Sequence, residues 1–176
     1  LQHRPPASIN GLRYRINGDI PNLIKVLHAY AYYDASITSN IENMEVEKVV
    51  RVDLLIQPGP QFALKSYDVY GGDCTKLAKI SGCCPLTASR VGMQIGEPAL
   101  SVQIVNAELN VLNELSKCGY PLAYIDKRRV EVDMKDYTVQ ADSCVQEGQF
   151  ATFGPATFFG IQEITPRFIQ KKLSWK

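Results

Sequence analysis

Few side chains in this sequence could act as catalytic acids, bases or nucleophiles. The chain has two histidines, His3 and His28, and neither has an obvious partner placed to work with it. A general base needs such a positioned partner, so these histidines do not predict a catalytic pair. No nucleophile elbow, Walker loop or G-x-G-x-x-G phosphate loop occurs in the sequence. We therefore expect neither an enzyme nor a bound cofactor.

The cysteines could form disulfides, hold a metal or act as thiols. There are five: Cys74, Cys83, Cys84, Cys118 and Cys144. No C-x-x-C pair occurs, and the adjacent pair Cys83-Cys84 does not fit the ligand spacing of zinc sites, so we expect no metal. The count suits an oxidising compartment, although it does not exclude a reducing one. A bond from Cys74 to Cys83 or Cys84 is the preferred pairing. The alternatives are buried free thiols and a thiol enzyme that uses Cys83 or Cys84.

The cationic run Lys127-Arg128-Arg129 is the third chemical feature. It could contact lipid headgroups or an acidic partner, but charges on a strand edge also discourage pairing between sheet edges. Ile125 and Val130 flank the run in a stretch that is typical of a β-strand. The net charge of the whole chain is only +1, so no long-range field would gather nucleic acid.

Two stretches that end alike divide the chain into repeated units. "LHAYAYYDASI" and "LSKCGYPLAYI" align so that Ala31 matches Gly119 and Ile37 matches Ile125, each pair 88 positions apart. Further along, Gln61-Phe62-Ala63 matches Gln149-Phe150-Ala151 at the same offset. An offset that persists over helix, turn and strand signals indicates a repeated module, and 176 residues would suit two small domains.

Hydrophobic periodicity predicts the elements of the first unit. A helix should run from about Ser8 to Ala29, weakened or divided near Gly18 and Pro21. Strands are expected at 35–42, 48–57 and 62–70, where β-branched and alternating residues are frequent. No run of 18 apolar residues occurs, so no helix is expected to span a bilayer.

The second unit should contain a short helix within 85–93 and a longer one that begins at Ser101 and ends at Gly119. Strands follow at 122–133 and 137–146, then another after Gly148 and a helix at Thr165-Pro166. The stripe expected to be buried on the long helix comprises Val105, Leu109, Leu112 and Leu115.

Alternation along 137–146 assigns faces to the last strand of this unit. Val139, Ala141, Ser143 and Val145 share the face toward the helices, so Cys144 should face away from them. Cys118 ends a helix, and its side chain should therefore diverge from that of Cys144. We do not expect a bond between these two cysteines, because diverging Cβ vectors cannot be bridged.

The order strand, helix, helix, strand, strand at this period resembles the POTRA domain of outer-membrane assembly factors. The helix ends quoted above are similar to the family's "GYY-x-A" signature, with Ala31 where glycine is usual and "GYP" in place of "GYY". "IQPGPQFALKSYDVYGG" and "VQEGQFATFGPATFFG" resemble the junctions at which one such domain leads into the next. The member type that the chain resembles most is TamA.

This resemblance implies an α+β fold of tandem β-α-α-β-β modules, each with a three-stranded mixed sheet and two helices on one face. Residues 1–61 would be a first module without its opening strand, 62–147 a complete second module and 148–176 the start of a third. In such a module the strand at 122–132 would be a sheet edge. Ile125, Lys127, Arg128, Arg129 and Val130 are therefore the candidate residues for binding a partner strand.

The implied function is periplasmic and non-enzymatic: helping to fold or insert outer-membrane proteins by binding unfolded clients along strand edges. The implied partners are those clients, a TamB-like protein anchored in the inner membrane and a C-terminal β-barrel of the same protein in the outer membrane. Alternatives within the family are a BamA-like factor and a two-partner secretion transporter. Outside it, the alternatives are the thiol enzyme named above and a purely structural envelope scaffold.

Overall fold

The computed structural model describes residues 8–44, 49–72, 74, 76–77, 85–152, 154, 156–160 and 163–173. The first unit contains helix α1 (Ile9–Ala29) and strands β1 (Ser36–Met44) and β2 (Val49–Gln57). The second contains β3 (Ala63–Gly71), the two-residue β4 (Lys76–Leu77), a 3₁₀ turn (Ser89–Val91), α2 (Ser101–Lys117), β5 (Tyr124–Asp133) and β6 (Thr138–Gln146). Helix α3 (Pro166–Lys172) follows.

The strands form two sheets, one for each unit. In the first unit β1 pairs antiparallel with β2, whereas the second sheet has the order β4-β3-β6-β5. Strand β3 runs parallel to β6, while β5 and β6 form an antiparallel hairpin, so the second sheet is mixed. The predicted α+β class with a mixed sheet is confirmed, and the short β4 is added to the three strands expected.

The order helix, strand, strand occurs twice in the described residues, as α1-β1-β2 and as α2-β5-β6. Helices α1 and α2 end at Ala29 and Lys117, 88 positions apart, and β1 and β5 begin at the same offset. Beyond Ile125 a β-bulge adds one residue to β5, and the offset becomes 89. Ile41 therefore pairs with Val52 as Val130 pairs with Ala141.

Both repeated helices end through a residue in the left-handed region, Ala31 with φ 66° and Gly119 with φ 94°. In each case the next amide, that of Tyr32 or Tyr120, donates to the carbonyl of a leucine five residues earlier, at 3.0 and 2.9 Å. Such a bond satisfies a carbonyl that the helix leaves free and turns the chain sharply toward the following strand. The stop predicted at Gly119 is confirmed.

The buried core lies in the second unit, between one face of its sheet and α2. Its fully or almost fully buried side chains are Phe62, Leu64, Tyr67, Val69, Val91, Met93, Ala99, Ile104, Ala107, Val111, Leu115, Val139, Ala141 and Val145. Among the described residues of the first unit, only Ala31 is buried to the same degree.

Two predicted helices and one predicted strand differ from the structure. Helix α1 is continuous through Pro21, and Ser8 caps its start by accepting a hydrogen bond from the Gly11 amide at 3.1 Å. The helix expected within 85–93 is reduced to the 3₁₀ turn. No strand forms in the described part of 149–160, although the helix predicted at Thr165-Pro166 is present.

The stripe predicted for α2 is rotated from the one that the structure buries. Of the predicted residues, Leu115 is buried and Leu112 is half-buried, but Val105 and Leu109 are 41% and 55% exposed. Ile104 and Val111, which were not predicted, are buried. The sheet covers the side of the helix centred on Ile104 and Val111, so the neighbouring Val105 and Leu109 lie on its flank. Periodicity alone did not distinguish these two adjacent stripes, since both are apolar.

The disulfide predicted from Cys74 to Cys83 or Cys84 is wrong for Cys74, which is bonded to Cys144. Because β3 runs parallel to β6, Gly71 lies beside Val145, and the turn after β3 brings Cys74 back over the end of β6. Cys144 faces away from α2 as predicted, and the expectation that it does not bond Cys118 is confirmed. Cys118 is also disulfide-bonded, while Cys83 and Cys84 lie outside the described residues.

Candidate strand-edge site

Strand β5 forms one edge of the second sheet. It pairs with β6 on one side, and among the described residues no strand pairs with its other side. The opposite edge of the sheet is covered at both ends of β3, because β4 pairs with its end and the segment 96–99 bonds to its start. There the Leu64 amide donates to Glu97 at 2.8 Å, and the Gly96 amide donates to Leu64 at 2.8 Å. The sheet therefore presents free backbone groups mainly along β5.

The register with β6 assigns the side chains of β5 to two faces, because residues opposite each other in an antiparallel pair share a face. Ile125, Arg128, Val130 and Val132 lie on the helix face, opposite Val145, Ser143, Ala141 and Val139. Lys127, Arg129 and Glu131 lie on the outer face, opposite Cys144, Asp142 and Gln140. The three adjacent cations of the sequence are thus separated.

Arg128 is held by a buried carboxylate on α2. Its guanidinium donates two hydrogen bonds to Glu108, with Nε at 2.6 Å from Oε1, and Glu108 is only 6% exposed. The bond to Glu108 raises the pKa of Arg128 above its ordinary value. The bidentate pair uses Nε and one terminal nitrogen of Arg128, so the charge of this residue is largely compensated within the module.

A chain of buried hydroxyls continues from that carboxylate to β3. Ser143 Oγ lies 3.0 Å from Glu108 Oε1 and 3.0 Å from the Tyr67 hydroxyl. A carboxylate only accepts, so Ser143 donates to Glu108 and Tyr67 donates to Ser143. Burial raises the pKa of Tyr67, which favours the protonated hydroxyl that this arrangement needs. The network connects β3, β6, α2 and the edge strand β5.

On the outer face, Arg129 is also paired. It bonds Asp142 at 2.7 Å across the hairpin and lies 3.6 Å from Glu131, and the bond to Asp142 raises its pKa. Lys127 has no ion pair within the part of the chain that the structure describes. Of the three predicted cations, Lys127 is therefore the one whose charge is available to a partner.

An open cavity of about 380 Å³ lies beside Lys127 on this face, lined by Tyr70, Cys74, Arg129, Asp142 and Cys144. The bulged residue Asp126 places its carboxylate with the two disulfide sulfurs, all within 4.8 Å of one another. A metal would need thiolates there, and sulfurs bonded to each other do not provide them.

The sequence interpretation missed Glu108 and the network around it. One signal was present, since Glu108 stands on the same helix side as Ile104, Val111 and Leu115, where an apolar residue is expected. A lone charge on a buried stripe predicts a buried partner of opposite sign. The predicted strand could have supplied that partner from Arg128.

Of the remaining candidates for chemistry, His28 lies in the described part of the chain. The ring of His28 packs on that of Tyr33, with 5.3 Å between the centroids. His3, Cys83 and Cys84 lie outside the described residues. No helix in the described ranges is long and apolar enough to cross a membrane.

Comparisons with known proteins returned structural similarities only. Neither a protein-family model nor a curated protein sequence matches this chain. It is similar to the POTRA3-5 region of BamA from Haemophilus influenzae, with 17% identity and a TM-score of 0.47, over 92% of this chain and 61% of that one. It is also similar to POTRA1-2 and POTRA1-3 of the periplasmic domain of Omp85 from Anabaena. The first shows 15% identity and a TM-score of 0.47 over 75% of this chain and 74% of that one, and the second 12% and 0.40 over 81% and 52%.

Proposed function

We propose that this chain is a periplasmic POTRA region of a TamA-like outer-membrane assembly factor, which binds unfolded outer-membrane proteins along a strand edge. The observation that carries the proposal is the open edge of β5 in a unit whose opposite edge is covered. An extended polypeptide can add to such an edge through backbone hydrogen bonds. Recognition of this kind depends little on sequence, which suits a factor that accepts many clients.

Three further features support this environment and role. Cys74 and Cys144 form a disulfide, and disulfides persist in oxidising compartments such as the periplasm. The charges on β5 discourage edge-to-edge pairing between copies of the module, so the edge stays free for a client. Its apolar positions Ile125 and Val130 lie on the helix face, where a client side chain would gain contact.

We also propose the domain organisation implied by the repeat. Residues 1–61 form a first module that is completed by a strand alongside β2, 62–147 form the second module, and 148–176 begin a third. The whole protein would continue into a β-barrel and would use its modules to hold a TamB-like partner anchored in the inner membrane.

The test is binding of an unfolded outer-membrane protein segment to this chain, followed by NMR shift mapping. We expect shifts along 124–133 and on the neighbouring β6. Val130→Pro should abolish them while the core signals stay in place, because proline removes a backbone donor and distorts the edge. Ile125→Pro beside the bulge should act in the same direction.

Lys65→Ala on β3 is the matched control, since Lys65 is an exposed residue of the same sheet but distant from the β5 edge. It should leave binding unchanged. Shifts confined to α1, α3 or the disulfide region, with 124–133 silent, would contradict the proposed edge.

A further inference from the structure

A β-bulge near the start of β5 brings an acidic side chain to the disulfide. The register with β6 shifts between Ile125 and Lys127, so Asp126 is the extra residue. One carboxylate oxygen of Asp126 and the sulfurs of Cys74 and Cys144 lie within 4.8 Å of one another. Bulges re-aim side chains and occur frequently beside functional sites. The three side chains come from separate segments, so the tertiary fold brings them together.

The oxidised sulfurs give this carboxylate no partner. Bonded sulfurs carry no hydrogen to donate, and within the described ranges Asp126 makes no hydrogen bond or ion pair. The same three atoms become a ligand set once the S–S bond is broken, because zinc binds thiolates and carboxylates. Three protein ligands leave the fourth tetrahedral position to water. The open cavity of about 380 Å³ on this face, which both cysteines line, has room for that water.

The charges around the cavity suit a bound zinc ion. Two thiolates and a carboxylate carry one negative charge more than Zn²⁺ neutralises. Lys127 lines the same cavity and has no ion pair among the residues that the structure describes, so its ammonium compensates that charge. Arg129 and Asp142 line the cavity as well, but they neutralise each other through a bond of 2.7 Å.

We infer that Cys74, Cys144 and Asp126 form a redox-gated zinc site. While the disulfide is intact, its sulfurs do not bind the metal. After reduction by a protein dithiol, the two thiolates and the Asp126 carboxylate bind Zn²⁺ together with one water molecule. This inference goes beyond the proposed function and does not depend on polypeptide binding at β5.

The reduction consists of two successive thiol–disulfide exchanges. A thiolate of the dithiol attacks Cys74 Sγ, forms a mixed disulfide and breaks the bond to Cys144, which leaves as a thiolate. The second thiol of the reductant, after losing its proton, attacks the reductant's own sulfur in the mixed disulfide and releases Cys74 as a thiolate. The dithiol is thereby oxidised to a disulfide, and its two protons pass to the two cysteines. Zinc displaces these protons into the solvent when the thiolates bind it.

Three features favour reduction of this disulfide. Cys74 is only half-buried and borders the open cavity, so a reductant reaches its sulfur. Its φ of 64° lies in the left-handed region, which residues other than glycine rarely adopt, so opening the bond lets the backbone leave a strained conformation. Lys127 pairs with Cys144 in the register of β5 and β6, and a nearby cation stabilises the departing thiolate.

The test uses the full chain with Cys83, Cys84 and Cys118 replaced by serine, which leaves Cys74 and Cys144 as the only cysteines. The protein is reduced, freed of reductant and titrated with Zn²⁺ against a chromophoric chelator. We expect about one zinc ion per chain in the reduced form, and no binding that competes with the chelator in the oxidised form. Co²⁺ in place of zinc should give thiolate-to-metal charge-transfer absorption, which a surface carboxylate alone does not produce.

Asp126→Asn should weaken zinc binding by more than about tenfold, because even the loss of an outer-shell partner has that effect. Asp136→Asn is the matched control. Asp136 is also an exposed aspartate of the β5–β6 hairpin, but it lies in the turn at the far end from the disulfide, so its replacement should leave the affinity unchanged. Lys127→Gln should weaken zinc binding to a smaller extent and slow the reduction of the disulfide by a dithiol.

Several results would overturn the inference. A reduced chain that binds no zinc, or an Asp126→Asn variant that binds it as tightly as the parent, excludes the site. Equal binding by the oxidised chain excludes the redox gate. If the three serines prevent folding, the reduced chain with all five cysteines is compared with its Cys74→Ser variant. Cys74→Ser should then lower the zinc bound by about one ion per chain, and an unchanged amount contradicts the site.

Discussion

The two units follow the same path of helix, strand and strand, yet among the described residues only those of the second unit enclose a core. Val139, Ser143 and Val145 of β6 are fully buried. Their counterparts 89 positions earlier on β2, which are Val50, Leu54 and Ile56, are 39%, 42% and 46% exposed. The helices and hairpins are equivalent, so the difference arises from what lies beside the middle strand.

In the second unit that neighbour is β3, which pairs parallel to β6 and contributes Leu64, Tyr67 and Val69 to the core. Within the described residues, β2 has no strand on its second edge. A hairpin and its helix therefore do not close a core by themselves. The parallel strand closes it, which is the physical reason for proposing that the first module is completed by such a strand.

The junctions that follow the two units also differ in how deeply their phenylalanines are buried. Phe62 is fully buried, with its ring packed edge-on against Tyr33 at 5.3 Å and against Tyr137 at 5.4 Å. Its counterpart Phe150 packs on Tyr120 at 5.6 Å and remains 62% exposed. The burial of Phe62 depends on Tyr137, which lies in the hairpin turn of the second unit. A following module with an equivalent turn would cover Phe150 in the same way.

The largest expected effect is a difference in stability between truncations of equivalent leucines in the two units. Leu115→Ala should destabilise the second unit by about 2–5 kcal/mol, the usual cost of truncating a buried leucine. Leu27→Ala, 88 positions earlier and only half-buried, should cost about half as much or less, because less area is lost from the interior.

Urea unfolding of each variant, followed by NMR signals assigned to each unit, measures both losses. Both leucines accept the same hydrogen bond from the tyrosine after the helix stop, so the backbone contribution is matched. Equal losses at the two positions would contradict the difference between the cores.

A smaller effect tests the polar network that only the second unit contains. The first unit has Ile20 and Ser39 at the positions of Glu108 and Arg128. Arg128→Ala leaves the buried Glu108 carboxylate without its counter-ion. Complete burial of both partners would cost more, but the Arg128 side chain is 42% exposed, so we expect a loss of about 1–3 kcal/mol.

The neighbouring Arg129 provides the control on the same strand. Its side chain is 66% exposed, so solvent screens its ion pair and Arg129→Ala should cost much less stability than Arg128→Ala. Ser39→Ala should lie within about 0.5 kcal/mol of the parent chain. Thermal unfolding of the three variants ranks their losses of stability. A loss for Arg129→Ala as large as that for Arg128→Ala would show that the buried network contributes no more to stability than an exposed ion pair.

The positions of the strands in the two hairpins could be read from the sequence because they depend on local signals, whereas the edge location of β5 was implied only by the resemblance to POTRA domains. Alternation, the Pro58-Gly59-Pro60 break and the stop at Gly119 act within a few residues. The Cys74–Cys144 bond and the role of Arg128 depend instead on which strands become neighbours. The rotation of α2 depends on where the sheet covers it. Such features follow from pairing between distant segments, so composition and spacing near Cys74 or Arg128 could not determine them.

The smallest expected effect is a pH dependence that belongs to the second unit alone. Bonds from Lys117 and from Arg90 of the 3₁₀ turn hold the pKa of Glu114 below its ordinary value. A carboxyl whose pKa is lower in the folded state stabilises that state above its unfolded pKa, and this contribution is lost as the pH falls through the folded pKa.

The stability difference between the parent chain and Glu114→Gln should therefore be largest near neutral pH and shrink below about pH 4.3. Val26 occupies the equivalent position in the first unit, which has no such ion pair to lose. Urea midpoints of the parent chain and of Glu114→Gln across this pH range measure the difference in stability. The contributions of the other acidic residues cancel, because both chains contain them. Curves that stay parallel down to the acid limit would show that the pair with Arg90 does not tie α2 to the 3₁₀ turn.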